Sequence, residues 1–399
     1  MNPFVFHTPT RVYFGENSAS SCGDFLRELG ATKVLMVADA FLEKSGALAP
    51  LIDSIKESTG LAPILFTDVP SDSDVDCVNK ATVIARTSGC NALVAVGGGS
   101  VLDTAKVINI CLTFGGEVLD YQGLNIIERK LLPLIAVPTT AGTGAEVSFV
   151  AMVKDHGESK KLMFGSRFLA PDVAILDPLM IVSLPAKLTA ATGIDAVTHD
   201  IECYVASGTY SVFTDSLCLE SLRLLFEFLP QATIDGDNLE ARGATLVASC
   251  MAGVAFTNSG VGITHALAHA VGAKYATHHG MTNAVFLPHG MRFNFESVYP
   301  RYARIARFLD LAAEASNSIN GNTISSSDDR ALAHLLLNKV EALLRQLKLP
   351  LNLRELGVPE LTDENLAELV DLAGADPAIM FNPREASSED LTQLLKRAY

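Results

Sequence analysis

At 399 residues, with 49% hydrophobic and 19% charged side chains, the chain has the composition of a compact folded protein, and disordered, collagen-like and coiled-coil classes are excluded. Its length corresponds to two domains at roughly 150 residues each. Forty-five acidic against thirty basic residues leave a net charge of −15, a field that repels phosphate backbones and anionic lipid surfaces, so neither nucleic acid nor a membrane is an expected partner.

In chain order, RVYF (11–14), KVLMVAD (33–39), APILFTDV (62–69), ALVAVGGG (92–99), LIAVP (134–138) and VAILD (173–177) are predicted strands. They are apolar at consecutive positions, the pattern of strands covered by helices on both faces of a parallel sheet. Segments 49–59 and 75–88 between them carry helical spacing. The opening MNPFVFHTPTRVYFG lacks a basic block followed by an apolar run and is expected to be the first strand of the mature fold. No stretch approaches the ~18 consecutive apolar residues of a membrane span. Past Asp177-Pro178, Ala, Leu, Glu and Arg recur at three-to-four spacing over 214–229, 239–256, 301–314 and 329–347, so this half is predicted almost all helical, with a polar loop over 316–328. The expected architecture is an α/β N-terminal Rossmann-like domain with a parallel sheet over 1–184 and an all-α C-terminal domain over 185–399. Seven scattered cysteines with no C-x-x-C pair argue against a disulfide framework or a thiolate zinc site and fit a reducing cytoplasm.

Three clusters carry chemistry. In VAVGGGSVLDTAK (94–106), Gly97, Gly98 and Gly99 end a strand and Ser100 opens a helix, which lets backbone N–H groups and a helix N-terminus approach a pyrophosphate. Asp103, in the first helical turn, suits a cap as well as a ligand contact. Asp39 ends the second strand, where a carboxylate can hold a ribose and repel a 2′-phosphate. It precedes the glycines by some sixty residues, whereas the usual fingerprint has the acid about 20 residues after them, so by itself it reads as a strand-end residue. VPTTAGTGAEVS (137–148) brings Thr139, Thr140 and Thr143 to another strand end, suited to a phosphate or ribose and equally to an ordinary turn. The strongest signal is histidine: His265, His269, His278, His279 and His289 fall within 25 residues, and upstream Asp195 and His199 lie four apart on one helix face. One carboxylate and three imidazoles make an N₃O set suited to Fe²⁺ or Zn²⁺. His269, one turn beyond His265, faces the same place and can move protons.

GGGSVLDTAK, PTTAGTGAE, TGIDAVTHDIECY, AFTNSGVGITHALAHAVGA, HHGMTNAVFLPH and FNPREASSEDL together resemble, in order and spacing, the blocks of the iron-containing (group III) alcohol dehydrogenases. Within that family the chain is nearest in appearance to lactaldehyde reductase and the ethanolamine-utilisation enzyme, and SASSCGDF and ASCMAGVAF lean toward the latter. The resemblance implies a dehydroquinate synthase-like architecture. It also implies metal ligands at Asp195, His199, His265 and His279, with His278 and His289 as non-ligands and His269 as a proton relay. NAD contacts are implied at Asp39, Gly97, Gly98, Gly99, Ser100, Asp103, Thr139, Thr140 and Lys161, with Lys160 an alternative to Lys161. One departure is Pro70-Ser71-Asp72-Ser73, where the family often has an Asn-Pro-Thr turn. The resemblance implies Fe²⁺ as the metal, with Zn²⁺ the alternative.

The expected function is metal-dependent hydride transfer between NAD(H) and a small primary alcohol or its aldehyde, by a cytoplasmic homodimer or larger homo-oligomer. The alternatives are a zinc- and NAD-dependent lyase of the dehydroquinate synthase type and a non-catalytic, metal-stabilised assembly protein. The lyase needs basic residues for a phosphorylated substrate, and 256–292 supplies only Lys274 and Arg292.

Overall fold

The structure, a computed structural model, describes residues 3–70, 73–155, 160–318, 325 and 327–399. The chain forms two compact units, one of His7–Leu184 with Gly236–Thr257, the other of Pro185–Asp235 and Asn258–Tyr399 with the N-terminal residues up to Phe6.

The first unit is built on strands β1 (Arg11–Phe14), β2 (Val34–Ala38), β3 (Ile64–Phe66), β4 (Ala92–Gly97), β5 (Gly123–Leu124), β6 (Leu134–Pro138), β7 (Val150–Asp155), β8 (Lys160–Gly165) and β9 (Val173–Leu176). Six of them form one sheet in the order β1-β9-β6-β4-β2-β3, and every neighbouring pair is parallel. Strands β2, β4, β6 and β9 are buried at every residue, which is why their sequences are unbroken apolar runs. Helices α1 (Cys22–Glu28), α2 (Ala40–Ser45), α3 (Ala49–Thr59), α4 (Val75–Ser88) and α5 (Gly99–Phe114) accompany them. Leu35, Val37, Leu93 and Ala95 pack with Val78 and Ala81 of α4 and Ile108 of α5. Met36, Val94, Val96 and Ile135 pack on the other face with Leu26 of α1 and Leu51 and Ile55 of α3. Each Val, Leu, Ile or Met among them contributes roughly 1.5–3 kcal/mol on burial. A second, three-stranded sheet, β5-β8-β7, joins antiparallel β7 and β8 with β5 parallel to β8. It was not among the predicted strands, because only alternate residues such as Ala151, Val153, Leu162 and Phe164 enter the core.

The remaining helices are α6 (Ala186–Val205), α7 (Val212–Ile234), α8 (Leu239–Ser259), α9 (Ile263–Tyr275), α10 (His279–Phe308), α11 (Leu311–Ser318), α12 (Asp329–Gln346), α13 (Asp363–Ala375) and α14 (Ser388–Ala398). A single cut after residue 184 does not describe the division, because Gly236–Thr257, most of α8, belongs with the sheet. The reasons are local. A Cβ on Gly144 would lie 2.3 Å from the Gly253 Cα, so the two backbones touch. Leu246 and Cys250 fill a core with Ala141, Val147, Ala174 and Leu176. The buried Arg242 guanidinium donates to the carbonyls of Gly236 and Leu184, each at 2.9 Å. By length and composition α8 could cross a membrane, yet 61% of its most apolar window is buried within the protein, as expected of a core helix. In the helical unit α6 is buried at 17 of its 20 positions and packs against α7 and α10, while α9 packs against α10 and α13. Of the predicted loop 316–328, residues 316–318 continue α11, and 319–324 and 326 lie outside the described residues.

Candidate active site

In the first unit the sheet order reverses between β2 and β4: β3 lies beyond one, β6 and β9 beyond the other. Ligands of open α/β sheets bind at the carboxyl ends of strands beside such a switch point. Ala38 pairs with Val96 and Gly97 with Pro138, so Asp39, the glycines and Thr139-Thr140 leave three adjacent strands at one edge. The 58 positions of sequence from Asp39 to Gly97 become one strand spacing. Thr139 N–H donates to the Gly97 carbonyl at 3.0 Å. A Cβ on Gly98 would lie 3.2 Å from Thr140 Cγ2, and one on Gly99 2.9 Å from Thr143 Cγ2, so glycine here lets the two loops close on each other. Helix α5 starts at Gly99 with no side-chain cap, which suits an anion at its N-terminus.

Two of the acids have structural work as well. Asp39 Oδ1 accepts from the N–H groups of Phe41 and Leu42, both at 2.9 Å, capping α2. Asp103 Oδ2 accepts from Met152 N–H at 3.0 Å, tying α5 to β7. Burial raises the Asp103 carboxyl, against the nearby charges of Lys106 and Lys161. Lys106, fully buried, donates from Nζ to the Ser148 and Val150 carbonyls at 3.1 and 2.8 Å. Ser71 and Asp72 of the departing turn lie outside the described residues, as does the side chain of Lys160.

In the helical unit Asp195 and His199 sit one turn apart on α6, His265 and His269 one turn apart on α9, and His279 is the first residue of α10. The chain returns from α9 to α10 through Ala276, a non-glycine held left-handed at φ 53°, a conformation that costs ~1–2 kcal/mol. Gly280 lets α10 start against α6: a Cβ there would lie 2.0 Å from the Ala191 carbonyl oxygen. Asp195, His265 and His279 each offer a ligand atom within 4.8 Å of the others. Asp195 Oδ1 is 3.4 Å from His279 Nε2 and 3.8 Å from His265 Nε2. Ligands about 2.1 Å from one ion at tetrahedral angles lie ~3.4 Å apart, so these three fit a divalent ion, and a carboxylate with imidazoles suits iron or zinc. His199 stands outside that triplet, with its ring stacked on His265 at 4.7 Å between centroids. The ring of His269 stacks on His279 at 5.2 Å. His278 and His289 are not in the cluster; the former precedes α10 as its N-cap residue.

Burial alone raises the Asp195 carboxyl, but His279, His199, His265 and the Asn283 amide outweigh it and hold it at about 2. Burial pushes His279 well below the usual imidazole range, against Asp195. For His265 burial is outweighed by its partner Glu202, and the ring is raised.

Three residues absent from the sequence reading complete the centre. Glu202 Oε2 accepts from His265 Nδ1 at 2.6 Å. Asn283, one turn after His279, donates from Nδ2 to Asp195 Oδ1 at 2.7 Å and faces the Nε2 atoms of His265 and His279 at 3.2 Å. Its own carbonyl oxygen is buried with no hydrogen-bond partner among the described residues. Asp376 Oδ2 accepts from Nδ1 of the half-exposed His269 at 2.8 Å. The available signals were spacing, with Glu202 seven residues after Asp195 and Asn283 four after His279, and, for Asp376, its place just before FNPRE.

The family described as iron-containing alcohol dehydrogenase matches residues 9–178, and the C-terminal part of the Fe-containing alcohol dehydrogenase family matches 189–399. The NAD-dependent methanol dehydrogenase of Bacillus methanolicus is 36% identical, over 98% of this chain and 99% of that protein. The probable alcohol dehydrogenase EutG of Escherichia coli K12 is 35% identical, over 99% of this chain and 94% of its own. A crystal structure of 1,3-propanediol oxidoreductase superposes with a TM-score of 0.92 at 32% identity, covering 100% of both chains. Matches across both halves decide against the lyase and the assembly protein.

Proposed function

The chain belongs to the iron-containing alcohol dehydrogenase family, and on that premise we propose how its residues divide the work of interconverting a small primary alcohol and its aldehyde with NAD(H). Asp195, His199, His265 and His279 hold the divalent ion, Fe²⁺ or, in its place, Zn²⁺. Asp39, Gly97, Gly98, Gly99, Ser100, Asp103, Thr139, Thr140 and Lys161 serve the nucleotide. When bound, the ion supplies Lewis acidity to a substrate oxygen, and the nicotinamide exchanges hydride with the neighbouring carbon. Asp195, ionised at any working pH, provides the one anionic donor, and His279, held neutral, presents an Nε2 lone pair. Glu202 accepts a hydrogen bond from Nδ1–H of His265 and leaves Nε2 for coordination. His269, braced by Asp376 and half-exposed, carries the hydroxyl proton toward solvent. Asp39 accepts ribose hydroxyls and disfavours a 2′-phosphate.

The observation that carries this reading is the convergence of Asp195, His265 and His279 from three helices onto one point beside His269. The test follows NADH absorbance with a panel of short alcohols, diols and aldehydes, with chelator and with Fe²⁺ restored under anaerobic conditions. Turnover that chelation abolishes and Fe²⁺ restores is expected; full turnover by a metal-free Asp195→Ala enzyme refutes the ligand assignment. We further place the enzyme in the cytoplasm, supported by seven unbridged cysteines, and read it as a homodimer or larger assembly. The exposed edge strand β1, with Phe14 at 50% exposure, supports pairing with a second copy. Sedimentation equilibrium checks the assembly.

A further inference from the structure

Helix α9 carries both His265 and His269, and its N-terminus is held in an unusual way. The first N–H groups of a helix have no partner within it, and the usual answer is a Ser, Thr, Asp or Asn at the cap position. Here the cap residue is Gly262, without a side chain to offer. Glu202, buried on α6, takes its place: Oε2 accepts from Gly262 N–H at 2.8 Å and Oε1 from Thr264 N–H at 2.6 Å. Asn382 Oδ1 accepts from the intervening Ile263 N–H at 3.2 Å. A Cβ on residue 262 would meet Asn382 Oδ1 at 2.9 Å and Glu202 Oε1 at 3.1 Å, so glycine is what admits both side chains. Glu202 makes one contact that capping does not require, its Oε2 at 2.6 Å from His265 Nδ1.

We propose that Glu202 is a positioning residue for the metal centre: it fixes His265 as the Nδ1–H tautomer with Nε2 toward Asp195 and His279, and it clamps the helical turn on which that ring stands. The inference rests on the metal-ligand reading above. A carboxylate is required and an amide is not equivalent, because every partner of residue 202 is a donor. The single carbonyl oxygen of a Gln cannot serve them all, and its NH₂ would confront N–H groups. Carboxylates behind metal-bound histidines hold ring orientation and raise ligand basicity, and their loss typically costs 10–100-fold in metal affinity. Glu202 lies on the same helix as Asp195 and His199, so one buried side chain keeps α6 and α9 in register at the centre.

The experiment compares wild type, Glu202→Gln and Asn382→Ala as full-length protein. Divalent-ion affinity is measured by Co²⁺ and Fe²⁺ competition against a chelator, and the histidine ring nitrogens of metal-free wild type are read by ¹⁵N NMR. Asn382→Ala removes one acceptor from the same helix start without touching His265, so a purely structural role predicts that ion affinity falls in the two variants in proportion to their loss of stability in urea unfolding. Glu202→Gln is expected to weaken Co²⁺ and Fe²⁺ binding 10–100-fold and Asn382→Ala by much less. Equal affinities in Glu202→Gln and wild type overturn the proposal, and so does a wild-type His265 with a bare Nδ1 and its only proton at Nε2, a reading that needs no variant to fold. Wild type that binds neither ion overturns the ligand assignment itself, and the tautomer of His265 is scored independently of that result.

Discussion

Gly280→Ala puts one methyl group where α10 begins against α6. The added Cβ would lie 2.0 Å from the Ala191 carbonyl oxygen, against ordinary contact at 3.4 Å or more, so the first turn of α10 has to retreat by roughly 1.4 Å. His279 is the adjacent residue, and metal sites tolerate ligand-distance errors of only about 0.2 Å. The expected loss in ion affinity is a factor of 100 or more, about 2.7 kcal/mol. At an ion concentration 100 times Kd, wild type gains about 2.7 kcal/mol on binding, or roughly 5–10 °C in Tm for a unit of 150–250 residues. At the same ion concentration that increment should shrink to about 0.4 kcal/mol or less in the variant, and the metal-free variant should itself lose ~1–3 kcal/mol through overpacking. Anaerobic metal analysis and thermal scans with and without ion measure both. Gly272→Ala is the control on α9: its nearest neighbours would be Thr277 atoms at 3.8 and 3.9 Å, and a helical Gly-to-Ala exchange adds up to ~1 kcal/mol. A Gly280→Ala protein with stoichiometric metal at wild-type Kd refutes the contact geometry and the place of His279 in the site.

Asp376→Asn should lower kcat by roughly 10–100-fold by loosening His269 while metal content stays at the wild-type level; metal loss with unchanged kcat per bound ion would assign Asp376 to ion binding. Asp39→Asn keeps an oxygen for the α2 cap but removes the charge, so discrimination against NADP should relax about tenfold; the kcat/KM ratio for the two nucleotides checks it, and an unchanged ratio places selection elsewhere. Burial raises the Glu146 carboxyl from 4.5 to about 7. The folded chain therefore keeps a proton the unfolded chain releases, so the contribution of this one group to stability is fullest below pH 4.5 and is lost as pH rises through 7, by up to ~3 kcal/mol. Glu146→Gln should flatten that slope in urea unfolding at pH 5, 6 and 8, and parallel slopes in the two proteins would exclude Glu146 as its source.

The central sheet was legible because strands buried on both faces spell continuous apolar runs. The small sheet was not: β7 and β8 mix lysines with alternate core residues, and their pairing is nonlocal. Helix α8 was readable as a helix, but its membership of the sheet unit depends on Gly144 meeting Gly253, a tertiary event with no local signature. Histidine clustering pointed to the centre, and Asp195, His265 and His279 do meet, with His199 stacked alongside. Glu202, Asn283 and Asp376 escaped notice because an isolated acid or amide on a helix or turn reads as solvated surface until the fold buries it. Asp103 shows the converse, a residue in a phosphate-loop motif whose carboxylate accepts from the backbone of β7.

All seven cysteines are buried and unbridged. Burial pushes the Cys22 thiol up to about 12, and Cys77 and Cys111 up to about 11. Alkylating reagents and peroxide attack the thiolate, so the native chain gives them little to react with at neutral pH. Where the bound ion is ferrous, damage suffered in air is then to be sought at that ion before the thiols, and iodoacetamide becomes a gauge of breathing, marking those molecules whose interiors have opened.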